Sequence, residues 1–414
     1  MMNRFLPLAA ALTLSAALAA PLAAQEAPDT PQDSRQPADK SKFQNPMVPQ
    51  DMADPAAKVF DGKLYAYATG QSSIRLSIAD GKDLRVFTRP RPIAPVPAWS
   101  LGAMWAPDVV RNPNPKAPAN ERYVMFFSAK VKVGGWTDPK TGIAYPSRQN
   151  CLAVAFSSAP DAMFTVLDHP LDPSTCNGSK VPGSSQGNID PVVFRDPADG
   201  AYWLYWGSGH NPLKRQRLAA DMKRFMGERE ILQSTNPDDE NGKVLPFDGT
   251  PDLDIPDAGH DPSFQFTDLV EGSWILRHGD FYYYFTSGDD CCNNNLADHY
   301  AVVVWRSRNP VGPWERKPSA LGVDGTMVRA GPGNTHWESP GHNSTFKDGA
   351  CNDWIVYHAR PAGNDGRRWM LMDRILWDEP GGWPRILTDQ AKGAPSVGPM
   401  PAPVPLGAKT CAVP

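Results

Sequence analysis

The sequence predicts an all-β fold, a five-bladed β-propeller with its active site in a funnel at the central axis. Three observations carry that expectation. A hairpin unit, in which a β-branched strand, a turn and an aromatic strand follow one another, recurs five times along the 414 residues. The composition, with 44 Pro, 34 Gly and 13 Trp, suits many short strands joined by tight turns rather than helices. Three short acidic motifs, Ala53-Asp54-Pro55, Ile189-Asp190-Pro191 and Glu271-Gly272-Ser273, each open one of the units. Inner strands of a propeller surround one channel, so carboxylates far apart in sequence can meet there.

The chain begins outside that fold. Arg4 supplies a thin positive region, Phe5 to Ala20 is an apolar run rich in Ala and Leu, and Leu22-Ala23-Ala24 resembles a small-residue cleavage site. Residues 1–24 are therefore expected to be a signal peptide, the run being too short and alanine-rich for a good membrane span. Residues 25–43 are poor in large apolar side chains and are expected to form a flexible linker. No linker-like stretch interrupts residues 44–394, which favours one propeller domain over two all-β domains or a generic sandwich. A Pro-rich tail follows over 395–414, tied down through Cys411. The mature chain is expected to be exported, periplasmic or secreted, and monomeric.

The five aromatic strands read KLYAYAT after Asp61-Gly62, YVMFFSA after Glu121-Arg122, AYWLYWGS after Asp199-Gly200, FYYYFTSG after Gly279-Asp280, and WIVYHA after Cys351 to Asp353. Each follows a strand-like segment: AKVFDG, APDVVRN, DPVVFRD, GSWILRH or NSTFKD. Third strands are legible from Ile74, Leu152, Val302 and Trp369. Blade starts placed at Asp54, Trp105, Asp190, Glu271 and His342 are separated by 51, 85, 81 and 71 residues. That spacing exceeds the repeat of roughly 40–45 residues usual for WD-type blades, so long loops must decorate one face.

An Asp-Pro pair at the start of a strand is commonly turn chemistry. Acidic residues at the equivalent position of three blades point instead to a shared site. Two or three carboxylates around one pocket are what acid/base cleavage of a glycosidic bond requires. The net charge of -4 offers no electrostatic reason to expect nucleic acid, so the expected partner is an oligo- or polysaccharide. Six Cys in an exported chain favour disulfides. Cys151–Cys176 and Cys351–Cys411 are the expected pairs, while the adjacent Cys291 and Cys292 either bridge each other or pair separately.

Five motifs then carry a family resemblance. Asn45 to Pro55 (NPMVPQDMADP), Met104 to Val110 (MWAPDVV), Gly187 to Ser208 (GNIDPVVFRDPADGAYWLYWGS), Glu271 to Ile275 (EGSWI) and Pro340 to Phe346 (PGHNSTF) fall in the order seen in glycoside hydrolase family 43. That family contains five-bladed propeller α-L-arabinofuranosidases, endo-arabinanases and β-xylosidases. The stretch from Cys291 to Ser307, with its paired Cys and YxVxVWRS, most resembles the arabinan-cleaving members, as does Arg368 to Pro384. The resemblance implies that Asp54 is the general base, Glu271 the general acid and Asp190 the residue that tunes Glu271, in an inverting reaction without a covalent intermediate. It also implies that His342 lies on the propeller axis, ligating a structural calcium or other hydrated cation directly or through water. A hydrogen-bonded core histidine is the competing reading. Trp105 is the candidate for stacking on a sugar ring, against a channel-wall packing role, and Asp108 reads as structural.

Competing functions remain open at this stage. A propeller that binds carbohydrate without cleaving it has no need of a buried acid. A retaining fructan hydrolase matches Arg195-Asp196-Pro197, but that tripeptide reads as the hairpin turn of blade three. His210 and His260 lack metal-ligand spacing, and Arg360 reads as a structural ion-pair partner.

Overall fold

The computed structural model describes residues 36–145, 147–172, 175–176, 188–208, 213–233, 243–244, 270–288, 291–292, 300–318, 325–331, 334–363, 366–407 and 411. The leader expected over 1–24, most of the expected linker, His210 and His260 lie outside them. Five antiparallel sheets form the blades of a propeller. Blade I consists of Ala56–Phe60, Lys63–Ala68, Ser73–Ala79 and Arg91–Pro95. Blade II consists of Ser100–Arg111, Tyr123–Val131, Asn150–Ser157 and Thr165–Val166. Blade III runs through Val192–Arg195, Tyr202–Trp206, Leu213–Leu218 and Phe225–Gln233, with Lys243–Val244 added in parallel. Blade IV holds Val270–His278, Phe281–Gly288, Ala301–Ser307 and Glu315–Arg316; Thr326–Arg329 also pairs with its third strand. Blade V holds Trp337–Lys347, Asp353–Pro361, Trp369–Glu379 and Trp383–Leu387.

The core lies between blades, which explains why the second strands are apolar throughout rather than alternating. A strand covered on both faces has no polar side to show. In blade I, Leu64, Ala66 and Ala68 pack with Trp354 and Met370 of blade V. Their neighbours Tyr65 and Tyr67 pack with Met125 and Phe127 of blade II. Blade II repeats the division: Val124 and Phe126 face Leu204 and Trp206 of blade III. The period of two thus assigns alternate residues of one strand to two different interfaces.

The ring is closed by the segments at either end of the fold. Lys42–Phe43 pairs with Met400–Pro401, bringing together parts of the expected linker and the expected tail. The backbone N–H of Met47 donates to the Met370 carbonyl at 2.9 Å, and Asn45 exchanges hydrogen bonds with the Met372 backbone. Both expected long-range disulfides form, Cys151–Cys176 and Cys351–Cys411, and Cys291–Cys292 is vicinal. Closing loops of 25 and 60 residues stabilises by roughly 3.5 and 4 kcal/mol on the chain-entropy account. A bridge between neighbours closes no such loop.

Asp373 of blade V is wholly buried, accepting hydrogen bonds from Tyr357 Oη and Ser396 Oγ, both at 2.5 Å. Burial pushes its carboxyl up to about 7, so the folded state favours the neutral acid. The stability it contributes is full below pH 3.8 and is lost as pH rises toward about 7. Asp373→Asn, permanently neutral, is expected to flatten that decline. Thermal melts of both proteins across this window check it.

Candidate active site

The site is built from one backbone irregularity repeated five times. In every blade the first strand carries one extra residue against the second. From Ala53 to Ala56 the chain faces only Thr69 to Tyr67. Trp105 to Asp108 faces Ser128 to Phe126, and Ile189 to Val192 faces Gly207 to Tyr205. Glu271 to Trp274 faces Ser287 to Phe285, and Gly341 to Ser344 faces His358 to Val356. Each bulge holds one residue at positive φ: Asp54 (54°), Ala106 (47°), Asp190 (60°), Gly272 (65°) and His342 (50°). Bulges re-aim side chains next to active sites, and a left-handed non-glycine residue costs of order 1 kcal/mol or more, tolerated where the surroundings over-determine it.

This register corrects the sequence alignment of the blades. The equivalent residue in blade II is Ala106 rather than Trp105, and in blade IV it is Gly272 rather than Glu271. Two of the five positions are acidic, not three, and Glu271 stands one residue earlier. The reason is steric. A Cβ on Gly272 would lie 3.3 Å from His342 Cγ, so glycine lets His342 pack against the bulge. Glu271 shares its place before the bulge residue with Trp105.

Four of the five bulges are tied to the preceding blade through their backbone N–H. The N–H of Ala106 donates to Thr69 Oγ1 (2.9 Å), that of His342 to Ser287 Oγ (2.7 Å), and that of Gly272 to Asp190 Oδ2 (3.3 Å). The Asp54 N–H donates to His358 Nδ1 at 3.1 Å, which joins blade V to blade I. In each case the acceptor belongs to the preceding blade. His358 is therefore the tautomer with its hydrogen on Nε2, and burial pushes its pKa down to about 4.

Asp54, Asp190, Glu271 and His342 come together at these bulges. Asp54 is held on both oxygens: Arg368 Nη1 donates to Oδ1 at 3.0 Å and Thr69 Oγ1 to Oδ2 at 2.5 Å. His342 Nδ1 stands 3.4 Å from Asp54 Oδ1 and 3.9 Å from Asp190 Oδ2. Glu271 accepts from Ser208 Oγ at 2.6 Å and from Tyr300 Oη at 2.8 Å. Tyr300 reaches it because Gly341 has no side chain; a Cβ there would overlap the Tyr300 ring at 2.1 Å. The same ring stacks on His358, 5.7 Å between centroids.

The three carboxyls are buried but not alike. Burial would raise Asp54, yet the Arg368 guanidinium and then His342 outweigh it and hold its carboxyl well below the usual range. Burial first, and the neighbouring Glu271 second, push Asp190 well above its ordinary value. Burial also pushes Glu271 up, against the pull of His342, Ser208 and Tyr300. Asp190 and Glu271 thus keep a proton between them under conditions where Asp54 is ionised.

Asp190, Glu271 and His342 offer ligand atoms within 4.8 Å of one another, a group that can hold a metal ion. Two carboxylates and one imidazole fall short of the roughly six to eight oxygens that calcium takes, so water would have to supply the rest. Trp105 is half-buried, with Lys130 Nζ 4.8 Å from its ring centroid. Asp108 is structural, as expected: it pairs with Lys58 Nζ at 2.6 Å and accepts the Val193 N–H. The Arg195-Asp196-Pro197 segment is indeed the turn of blade III, where Asp196 and Ala201 close the hairpin. Arg360 lies beside Glu338 at 4.0 Å. Sequence reasoning assigned no role to Thr69, Ser208, Tyr300 or Arg368.

Buried carboxyls whose pKa values are driven in opposite directions thus stand together on a five-bladed propeller. Residues 43–384 match Glycosyl hydrolases family 43. The chain belongs to that family and is a glycosidase. It is 26% identical over 351 residues to a β-D-galactofuranosidase of Aspergillus niger, covering 82% of this chain and 84% of the relative. It is 25% identical over 347 residues to an extracellular exo-α-(1→5)-L-arabinofuranosidase of Cellvibrio japonicus, covering 81% and 86%. Among solved structures, an exo-1,5-α-L-arabinanase from a bovine ruminal metagenomic library superposes with a TM-score of 0.56 at 20% identity, over 84% of this chain and 97% of that one. An endo-arabinanase from Bacillus licheniformis gives 0.54 at 21%, over 83% and 100%. These superpositions establish the fold. The three disulfides point to an exported chain, since such bonds persist in oxidising compartments.

Proposed function

We propose that this family 43 glycosidase is an inverting enzyme, periplasmic or secreted and monomeric, that cleaves arabinofuranosyl or xylosyl linkages in plant cell-wall polysaccharide such as arabinan or arabinoxylan. The observation that carries the reading is that two buried carboxyls at the bulges are driven in opposite directions, Asp54 down and Glu271 up. Asp54, kept ionised by Arg368, serves as general base toward water. Glu271, whose carboxyl burial pushes up, serves as general acid toward the leaving oxygen, the division of labour that inversion requires. Buried Tyr300, whose phenol is raised well above its usual range, donates steadily to Oε1. The proton then belongs on Oε2, where the Ser208 hydroxyl can turn from donor to acceptor. Burial and mutual repulsion discourage ionisation of Asp190 and Glu271, of Asp190 most, and through the Gly272 N–H Asp190 holds the backbone beside Glu271. Trp105, half-buried, is the residue to stack on a sugar ring. Calcium near His342, with a shell completed by water, is proposed as a structural ion outside the chemistry.

The relatives' activities extend to galactofuranosides and arabinofuranosides, so substrate choice is tested directly. Purified protein is assayed on nitrophenyl α-L-arabinofuranoside, β-D-xyloside and β-D-galactofuranoside, and on debranched arabinan. Highest kcat/KM on an arabinofuranosyl or xylosyl substrate is the expected result. Preference for the galactofuranoside overturns the substrate assignment, and binding without cleavage of any overturns the enzyme assignment.

A further inference from the structure

We propose that the Cys291–Cys292 disulfide is a positioning element for Arg368, and through Arg368 for the carboxylate of Asp54. This rests on the reading of Asp54 as the base.

The bridge joins neighbours in sequence, so it contributes almost nothing through loop closure. Its effect must be local. The pair lies on the connection between the second and third strands of blade IV. That connection leaves Gly288, paired with Val270 beside Glu271, and reaches Tyr300, which donates to Glu271. Across the site, Arg368 is fixed at its backbone. Its carbonyl accepts the Met52 N–H at 2.8 Å, and its N–H donates to Asp51 Oδ1 at 3.3 Å. The long side chain is then stopped at its head between two partners, Asp54 Oδ1 at 3.0 Å and Cys291 Sγ at 3.8 Å.

The chemistry of the sulfur suits that role. A disulfide sulfur has no proton to lose, and the ring closed by adjacent bridged residues cannot rotate about its own side-chain bonds. The guanidinium is backed by a fixed, uncharged surface and stays aimed at Asp54. A dithiol breaks the S–S bond by delivering two electrons and two protons. Two thiols form on the protein, and the dithiol closes to its own disulfide. The freed side chains rotate, and a Cys291 thiolate would compete with Asp54 for Arg368. Cys292 is exposed and Cys291 half-buried, so a reductant can reach them.

The test is a double-mutant cycle read as kcat and KM on an aryl glycoside that the protein cleaves. Cys291→Ser with Cys292→Ser is expected to lower kcat roughly ten- to a hundredfold, the upper figure being the scale of a group displaced by about 1 Å, with KM changed less than twofold. In an Arg368→Ala background the same pair of substitutions is expected to cost less than twofold further, because the residue it positions is gone. Mild dithiol treatment of the wild type should reproduce the kcat loss, and the double serine variant should be insensitive to it. The last comparison separates this bridge from Cys351–Cys411, and reduction of the folded wild type covers the case in which the variant does not fold. Wild-type kcat in the double serine variant, or full additivity with Arg368→Ala, overturns the positioning role. If Asp54→Asn is inactive in the same assays, that failure leaves the parent reading standing; an active Asp54→Asn overturns both.

Discussion

Glu271→Gln is expected to lower kcat on arabinan or arabino-oligosaccharides by about 10²–10⁴, the usual contribution of a general acid. On nitrophenyl glycosides the loss should be much smaller, because nitrophenolate departs without a proton. The amide keeps the shape of the acid: Tyr300 can donate to its carbonyl and Ser208 can accept from its NH2, replacing the present bonds. The variant should therefore fold and melt like the wild type. Asp54→Asn provides the contrast. A base that activates water is needed whatever the leaving group, so its loss of about 10²–10⁴ should be equal on both substrates. Steady-state kinetics on the two substrate classes check this. Equal losses for Glu271→Gln on both, or retained activity in Asp54→Asn, would reverse or reject the assignment.

Arg368→Met is expected to move the acidic limb of the kcat/KM profile upward by roughly one to three pH units, the scale of losing an adjacent cation. Burial raises Asp54 and Arg368 is the leading opponent of that effect, so removing it lets burial win. The sign follows directly. The base works when ionised, which holds above its pKa; a higher pKa means activity is lost at higher pH as acid is added. The same change appears in stability. A depressed carboxyl contributes stability above its unfolded pKa and loses it as pH falls through the folded pKa. Arg368→Met removes that contribution and leaves the buried carboxyl without its guanidinium partner, so the melting temperature at neutral pH should fall too. With Glu271 as the acid, the alkaline limb is expected to follow the Asp190 and Glu271 pair, whose carboxyls are pushed up, and it should shift less. An unmoved acidic limb would show that Arg368 does not set the charge of Asp54.

The fold was legible because a propeller writes itself repeatedly into sequence. Each second strand is buried on both faces, so five near-continuous aromatic runs stand out. Asp54, Asp190 and His342 were legible because each occupies a bulge with a local motif. The bulge register was not. Ala106 and Gly272 show that the left-handed position itself can be apolar or empty, and sequence spacing cannot tell a carboxylate at the bulge from one just before it. Thr69, Ser208, Tyr300, His358 and Arg368 were missed as site residues because they stand in or at the ends of second and third strands, brought in by register rather than by motif. One signal was available. The aromatic strands end in small or polar residues, KLYAYAT at Thr69, YVMFFSA at Ser128, AYWLYWGS at Ser208, FYYYFTSG at Ser287 and WIVYHA at His358. Those endings lie where the second strands pass the bulges, and all five share a hydrogen bond with a bulge residue or Glu271.

The central claim is that Asp54 and Glu271 act together in a single displacement, with water attacking as the leaving oxygen is protonated. The anomer first released decides it. Proton NMR of the earliest product, recorded before mutarotation, is predicted to show the configuration opposite to that of the substrate linkage. A product that first appears with the configuration retained would contradict the mechanism and require a covalent intermediate.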